Sequence, residues 1–326
     1  MFRPEKILIE KDAAENAQPF LVALPTAAVE YAESARGAGP RTLLLKNLKG
    51  AALKPFRTGG SDCAGGVEFA VRHALGCPYD CTYCYLQTYD DTSVPTVFIN
   101  RKEILEEIDN FIGSHDEPAM LLAGHLSETL PLMAYDNFLA ELCGLVRRFP
   151  KHALEVRTKG TDVGVYEGIE PAENIIPSWT LSPEAHRKKY ERGTPSIEKR
   201  LEAMAKLQAG GWSVGVRLDP VVRDDAWEDA YRELIEKIFS VLDAEKIRDI
   251  HIGALRYVSE LGDIIRARDP ESPLALGEQF LSPDGKVKYA RPLRIEMYRR
   301  LISRINARAK VVVVMEPPEV IEEVFK

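Results

Sequence analysis

The stretch Cys77-Pro78-Tyr79-Asp80-Cys81-Thr82-Tyr83-Cys84 places three cysteines within eight residues, separated by three and then two residues. A [4Fe–4S] cluster is normally held by four cysteine thiolates. This stretch supplies three of them, so one iron is left open to a small molecule. The run at residues 67–71 before it predicts a short strand, and Gly76 and Pro78 place the cysteines in the loop that follows.

This cysteine pattern resembles that of the radical S-adenosylmethionine (SAM) enzymes, which place their cluster in a loop after the first barrel strand. In that family SAM binds the open iron through its amino and carboxylate groups. The resemblance implies reductive cleavage of SAM to methionine and a 5′-deoxyadenosyl radical, while the protein orients the reactants and excludes water. The alternative is a Cys3His zinc site with His73 or His125 as the fourth ligand.

Composition is that of an ordinary globular enzyme. The 326 residues are 45% hydrophobic and 29% charged, which allows one large domain with appendages or two domains. We expect no membrane span and no signal peptide, because no apolar run is long enough and residues 1–6 lack an apolar core. Five cysteines, three of them clustered, favour a metal or catalytic role in a reducing cytosol over a disulfide framework, so a cytoplasmic location is expected.

Charge is unevenly distributed along the chain. The net charge is −7, yet residues 286–310 hold nine Lys or Arg residues and one acid, Glu296, which gives this segment +8 and the remainder −15. The basic residues are Lys286, Lys288, Arg291, Arg294, Arg299, Arg300, Arg304, Arg308 and Lys310. A basic end on an acidic chain indicates a contact with a phosphate backbone, and the alternative is a helix with a solvated basic face.

Short apolar runs alternate with amphipathic segments beyond about Gly66. Strands are predicted at 68–71, 119–123, 154–157, 178–181, 213–218 and 249–255, and helices at 102–112, 136–147, 197–208 and 227–242. Repeated strand-helix units predict a parallel sheet with right-handed crossovers. Six units predict an α/β fold, a partial (β/α)6 barrel of the TIM type, with active residues at the carboxyl ends of its strands.

The two ends of the chain depart from this pattern. A small N-terminal α/β region is predicted at 1–62, with strands at 6–9 and 42–45, a helix at 27–35 and a break at Gly59-Gly60-Ser61. The barrel is assigned to 63–270. At 271–326 the turn Ser282-Pro283-Asp284-Gly285 predicts a hairpin, followed by a basic helix at 293–308 and a strand at 311–315, packed on the barrel.

Three strings resemble the spore photoproduct lyase family. Cys81-Thr82-Tyr83-Cys84-Tyr85-Leu86-Gln87 is similar to the family's cysteine loop, in which an aromatic residue, the third cysteine and Tyr-Leu-Gln follow the second cysteine. The segment at 189–200 contains the family's Gly-Thr-Pro-Ser, and that at 225–234 its Trp-Glu and Tyr-Arg-Glu-Leu. The likeness covers roughly residues 55–260 and thins at both ends.

The resemblance implies roles residue by residue. Cys77, Cys81 and Cys84 would ligate the [4Fe–4S] cluster, and Tyr83 and Tyr85 match aromatic residues of radical transfer. The residues implied near SAM are Ser127, Glu128, Lys159 and Thr180 or Ser182, all at predicted strand ends. Those implied at DNA are Lys286, Lys288, Tyr289 and Arg291 of the hairpin region. The implied substrate is a thymine-dimer lesion, flipped out of damaged DNA, and the implied electron donor is a flavodoxin or ferredoxin.

Some of these residues have structural alternatives. Tyr85 and Trp227 could belong to the core. Lys159 could be a surface cation, and Ser127 and Glu128 could cap the helix that follows them. Cys143 lies in an apolar helical pattern and is predicted to be core.

The chain departs from the family at the hydrogen-atom donor. Where the family has a cysteine, two residues before the serine that matches Ser127, this chain has His125. A thiol gives up a hydrogen atom readily, whereas an imidazole serves as acid, base, ligand or pocket lining. Tyr83, Tyr85 and Cys63 are the alternative donors; otherwise the adenosyl carbon–hydrogen bond returns the hydrogen atom directly, or the substrate differs. The hairpin at 286–292 is shorter than the family's.

Three functions follow. The first is a radical SAM lyase that cleaves a thymine dimer, with DNA bound through cations and one aromatic residue. The second is a radical SAM enzyme of the same scaffold with a different substrate, which His125 and the short hairpin favour. The third is a non-enzymatic, zinc-stabilised DNA-binding module.

Overall fold

The computed structural model describes residues 2–33, 35, 38–39, 41–56, 67–89, 94–306 and 308–326. The strands, numbered along the chain, are β1 (Lys6–Ile9), β2 (Ala28–Tyr31), β3 (Thr42–Lys46), β4 (Leu53–Phe56), β5 (Val67–Val71), β6 (Ala74–Leu75), β7 (Asp80–Cys81), β8 (Thr96–Phe98), β9 (Ala119–Ala123), β10 (Ala153–Thr158), β11 (Ile175–Thr180), β12 (Glu191–Arg192), β13 (Val214–Val221), β14 (Ile247–Ala254), β15 (Arg256–Val258), β16 (Gln279–Leu281), β17 (Lys286–Tyr289) and β18 (Val311–Val313). The helices are α1 (Gln18–Ala23), α2 (Arg101–Ser114), α3 (Leu130–Met133), α4 (Phe138–Arg147), α5 (Glu184–Tyr190), α6 (Ile197–Ala209), α7 (Trp227–Val241), α8 (Ser259–Arg268), α9 (Pro273–Leu276), α10 (Arg291–Ile302) and α11 (Pro318–Val324).

The chain divides into two units, each with its own strand pairing. The first comprises residues 1–57, 65–78 and 89–177, and the second comprises 58–64, 79–88 and 178–326. The predicted domain boundary at 62–63 lies outside the described residues, as do the predicted break at 59–61 and Cys63. The division into three regions therefore stays a prediction.

The first unit holds two sheets. In one, β2, β1, β3, β8 and β6 lie side by side, and all neighbours are parallel except β8 and β6. Ile7 and Leu43 of this sheet and Phe20 of α1 belong to its core, and each of the three is less than 2% exposed. In the other sheet β10, β9 and β5 are parallel, and β4 adds an antiparallel edge. Three predicted barrel strands are thus confirmed as parallel neighbours.

In the second unit, residues 178–180 of β11 and strands β13, β14 and β18 are parallel neighbours in that order. Trp179, Leu218 and Ile252 on these strands are fully buried. Helix α6 packs against β13 and α10 against β14, so the helical faces cover the sheet. Ser196 caps α6 by accepting a hydrogen bond from the Lys199 amide (3.3 Å).

The N-terminal prediction of a helix at 27–35 is wrong. Ala28–Tyr31 of this segment form strand β2, which pairs in parallel with β1 from Lys6↔Ala28 to Ile9↔Tyr31. Its alanines favour a helix, but the free edge of β1 supplies backbone partners that intrinsic propensity cannot anticipate. Among described residues 18–33 the only helix is α1 (Gln18–Ala23), which precedes the segment predicted to be helical.

The predicted C-terminal hairpin, basic helix and strand are confirmed with different bounds, and helix α11, which was not predicted, follows them. Strands β16 and β17 form the hairpin, and β15 pairs with β17 on the other side. Helix α10 ends at Ile302 rather than near 308, because the Arg304 and Ile305 amides bond the carbonyls of Leu301 and Ile302 in tighter turns.

Candidate active site

The cysteine loop is anchored at its second and third cysteines within the second unit. Cys81 lies at the end of β7, which pairs with β12, and the Cys84 amide donates to the Cys81 carbonyl oxygen (3.1 Å). The side-chain amide of Gln87 donates to the carbonyl oxygens of Cys81 (2.9 Å), Thr82 (3.0 Å) and Cys84 (3.3 Å). The side chain of Gln87 thus bonds to three carbonyl oxygens of the loop, which holds the loop backbone at Cys81 and Cys84.

Arg268 of α8 also bonds to two side chains of the cysteine loop. Arg268 donates to Gln87 Oε1 (2.6 Å) and forms an ion pair with Asp80 Oδ2 (2.6 Å). It therefore orients the amide that gathers the carbonyls. Hydrogen bonds that involve an ionised group are the stronger kind, so this contact strengthens the loop.

Cys77 belongs to the first unit. It follows Gly76, whose amide donates to the Leu126 carbonyl oxygen (2.9 Å) in a parallel bridge with Ser127. The glycine has a φ of 73°, a backbone conformation that other residues rarely adopt. Cys77 and Cys84 are half-buried, Cys81 is buried, and none of the three forms a disulfide.

The donor set fits an iron–sulfur cluster. Three thiols on a short loop are soft ligands of the kind that hold such clusters, and each would bind a different iron. Within the described part of the chain, no three His, Cys, Asp or Glu side chains lie close enough together to hold a single metal ion. His73, one candidate for a zinc ligand, has its Nε2 within 3.3 Å of the Ser127 hydroxyl.

Tyr83 turns its phenol toward a buried carboxylate of the second unit. Its hydroxyl donates to Glu191 Oε1. Burial, and next the negative charge of Glu191, raises the pKa of Tyr83 well above its ordinary value. Tyr85 is 38% exposed and begins a single 3₁₀ turn. Of the two predicted radical-transfer residues, Tyr85 is therefore the more accessible.

The predicted SAM contacts at the end of β11 also lie on this carboxylate network. Ser182 Oγ donates to Glu191 Oε1 (2.9 Å), and the Thr180 carbonyl oxygen accepts from Arg200 Nη1 (2.9 Å). Glu191 and Arg200 were not singled out from the sequence. A signal was available, because both lie in the segment at 189–200 that resembles the family.

In the first unit the structure brings Ser127, Glu128 and Lys159 together at the carboxyl ends of β9 and β10. Buried Glu128 accepts from Thr158 Oγ1 and from the Lys159 amide (3.1 and 3.2 Å). The turn depends on Gly124, which has a φ of 90° and where an added Cβ would collide with Thr129 Oγ1. The predicted location at strand ends is confirmed, while a contact with SAM stays a prediction.

His73 lies within hydrogen-bond distance of the Ser127 hydroxyl. It is fully buried, and burial, then the positive charge of Arg101, lowers its pKa to about 3. The imidazole is therefore neutral at physiological pH and can share a hydrogen bond with Ser127 Oγ (3.3 Å). Arg101 in turn bonds the His73 carbonyl oxygen (3.1 Å) and Asp136 (2.8 Å).

This burial predicts acid sensitivity. Since the pKa of His73 lies at about 3 when folded and near 6.5 when unfolded, the unfolded state binds more protons between these values. The contribution of His73 to stability is complete above pH 6.5, and we expect a loss of up to about 1.4 kcal/mol per pH unit below it. The measurement is the free energy of unfolding in urea from pH 7 to pH 5. His73→Asn should show a shallower slope; an unchanged slope would contradict the assignment.

His125 packs against an aromatic ring of β4 in a tilted arrangement. Its centroid lies 3.8 Å from that of Phe56, with 51° between the planes. The imidazole is half-buried in the first unit. Its predicted catalytic role stays a prediction.

The predicted DNA contacts lie on and after β17, in the second unit. Lys288 pairs with Asp284 (2.6 Å) and Arg291 with Glu323 (2.8 Å). Tyr289 is buried, and its hydroxyl accepts from the Arg223 amide (3.0 Å). The pKa of Lys286 is lowered, chiefly by burial and next by the positive charge of Arg256.

The basic segment that begins there is largely paired with carboxylates of its own unit. Beyond Lys288 and Arg291, its ion pairs include Arg294–Glu316, Arg300–Glu228, Arg300–Glu296, Arg304–Glu228 and Arg308–Glu245. Its +8 charge is therefore largely balanced locally. The exposed apolar residues of the hairpin are Phe280 (50%) and Leu281 (61%), which the sequence analysis did not select.

The family model of spore photoproduct lyase matches residues 60–293, which include all three clustered cysteines. The chain belongs to this family. Among curated relatives, the spore photoproduct lyase of Bacillus subtilis (strain 168) is 26% identical over 220 residues, which cover 65% of this chain and 64% of the relative. The chain thus matches a little under two thirds of that relative's length.

Solved structures of spore photoproduct lyase match nearly the whole chain. One complexed with dinucleoside spore photoproduct has a TM-score of 0.82 at 19% identity, covering 96% of this chain and 99% of the other. A mutant with bound AdoMet and dinucleoside spore photoproduct has a TM-score of 0.81 at 18% identity, covering 95% and 98%. The likeness shows the fold, and the predicted partial barrel is confirmed. Within the described residues, no helix has the length and apolar content needed to cross a membrane.

Proposed function

We propose that the chain is a radical SAM lyase that cleaves a thymine-dimer photoproduct in DNA. The observation that carries the proposal is the family match at 60–293 over a loop with three cysteines at the radical SAM spacing. Cys77, Cys81 and Cys84 would hold a [4Fe–4S] cluster, and SAM would take the remaining iron. When bound, cluster and SAM supply a carbon-centred radical that removes a hydrogen atom from the photoproduct.

The polypeptide's part is to bind and orient. Ser127, Glu128 and Lys159 at the ends of β9 and β10 are proposed to contact SAM, with Thr180 and Ser182 at the end of β11. The carboxyl ends of parallel strands are where such barrels build their sites, which supports this assignment. In the protein alone, Glu128 and Ser182 already hold partners, Lys159 and Glu191. Each of these side chains is therefore already held by a hydrogen bond within its own unit.

The family's cysteine is replaced by His125 in this chain, so it does not return a hydrogen atom to the product. We propose Tyr85 for this step, because its phenolic O–H is comparatively weak and its side chain is 38% exposed. Tyr83 is the second candidate, although its hydroxyl is engaged by Glu191. His125 would line the pocket or exchange protons.

Damaged DNA is the proposed partner, since the reacting atoms of a base dimer are inaccessible within a stacked duplex. Lys286, Lys288 and Arg291 are proposed to contact phosphates, and Tyr289 to support the hairpin. Exposed Phe280 is a further candidate for stacking on a base. A flavodoxin or ferredoxin as electron donor and a cytoplasmic location remain part of the proposal, as does the division into regions 1–62, 63–270 and 271–326.

The test is an anaerobic reconstitution with iron and sulfide, followed by SAM, reductant and dinucleoside spore photoproduct. Thymidine should appear, and Cys81→Ala should produce none. Cleavage of SAM without thymidine from the dinucleoside or from irradiated duplex DNA would exclude the proposed substrate. It would favour the same scaffold acting on a different substrate, which His125 in place of cysteine already motivates. Protein that holds zinc and cleaves no SAM would instead indicate the zinc-stabilised DNA-binding module.

A further inference from the structure

Glu191 is a carboxylate with no exposed surface in the second unit. Its Oε2 forms an ion pair with Arg200 Nη2 at 2.6 Å, and both side chains are 0% exposed. Arg200 also donates to the carbonyl oxygens of Thr180 (2.9 Å) and Pro195 (3.2 Å). The cation is thus held from three directions and fixes the position of the carboxylate.

The other carboxylate oxygen of Glu191, Oε1, accepts hydrogen bonds from two hydroxyl groups. Tyr83, between the second and third cysteines, donates to Oε1, and Ser182 donates to the same atom at 2.9 Å. Burying an ionised carboxylate costs free energy unless the charge is paired and its oxygens accept hydrogen bonds, as they do here. The arrangement joins the cysteine loop to the end of β11 through one atom.

The backbone of residues 190 and 191 also contacts the cysteine loop. Glu191 and Cys81 are opposite each other in the β12–β7 pair, and the Thr82 amide donates to the Tyr190 carbonyl oxygen at 2.7 Å. Main chain and side chain of residues 190–191 therefore contact three consecutive loop residues, Cys81, Thr82 and Tyr83.

Stability alone does not account for a buried ion pair, since well-packed apolar residues often replace one without loss. Directional bonds do fix geometry, and residues that orient metal ligands are needed for tight binding. We propose that Glu191, held by Arg200, is a positioning residue that keeps Cys81 and Cys84 arranged to take up and retain the cluster. This inference rests on the proposed function, because it presumes that the thiols hold a cluster.

The experiment compares Glu191→Gln with Glu316→Gln. Glu316 is a matched control in the same unit: it is buried, paired with Arg294 (2.6 and 2.9 Å) and accepts from Tyr298 (2.7 Å), far along the chain from the cysteines. The readouts are iron per chain after reconstitution and the rate of iron loss to a chelator. We expect Glu191→Gln to lose iron about 10–100 times faster than the unaltered protein and Glu316→Gln to match it.

Spectroscopy separates positioning from general stability. The electron paramagnetic resonance spectrum of the reduced cluster, with and without SAM, should change in Glu191→Gln and not in Glu316→Gln, even where both melt at lower temperatures. Should Glu191→Gln fail to fold, Ser182→Ala removes a single bond and should accelerate iron loss by a smaller factor. Equal iron loss in all variants would overturn the inference alone. Absence of iron from the unaltered protein would overturn the proposed function as well.

Discussion

Replacing Cys81 with alanine should leave a folded protein that takes up almost no iron. A cluster held by three cysteines requires each of them, so iron after reconstitution should fall from about four per chain to well below one. SAM cleavage should fall to the background rate, because no iron remains to bind and reduce it. Cys77→Ala and Cys84→Ala should behave in the same way. Iron determination and release of 5′-deoxyadenosine measure the two effects.

Cys143→Ala is the matched control for this loss. Cys143 lies fully buried in α4, and burial raises the pKa of its thiol to about 12. It is core, as its helical pattern predicts, and remains a protonated thiol that is a poor ligand. The variant should keep its iron and its SAM cleavage while losing about 1 kcal/mol of stability. Iron retention by Cys81→Ala, or iron loss by Cys143→Ala, would contradict the assigned ligands.

The barrel strands could be predicted because each carries its own signal. Residues 119–123 are an uninterrupted apolar run, and the structure has β9 at Ala119–Ala123. Helix α7 could be predicted equally well, since Tyr231, Leu234 and Ile238 recur at helical spacing and are all buried. Strand β2 was not, because its four residues are exposed and its only structural reason is the edge of β1.

The candidate site likewise combines local features that the sequence shows with long-range contacts that it does not. The cysteine spacing is local, so the sequence shows it directly. The partner of Tyr83 is Glu191, 108 residues later, and no spacing rule links the two positions. The basic segment shows the converse problem: Arg308 pairs with Glu245 and Arg304 with Glu228, and these pairings change what the counted charge means. Folding brings such partners together, so composition cannot reveal them.

His125→Cys should bring the chain closer to its family in how often SAM is spent for each repaired lesion. The substitution places a thiol where the family has a cysteine, and a thiol S–H bond gives up its hydrogen atom more readily than a phenol or an imidazole does. We expect the ratio of 5′-deoxyadenosine to thymidine to fall by about tenfold, which corresponds to a barrier about 1.4 kcal/mol lower for the quenching step. Losing the ring contact with Phe56 should cost about 1 kcal/mol of stability.

His125→Ala is the control, because it removes the same ring and adds no thiol. If the low ratio comes from hydrogen-atom donation, it should appear in His125→Cys alone, and deuterium from solvent should enter thymidine through the exchangeable thiol. If both variants lower the ratio equally, the imidazole merely obstructed the pocket. Tyr85→Phe in the His125→Cys background then decides the donor: thymidine formation should survive when the new thiol supplies the hydrogen atom, and should fail when the phenol still does so.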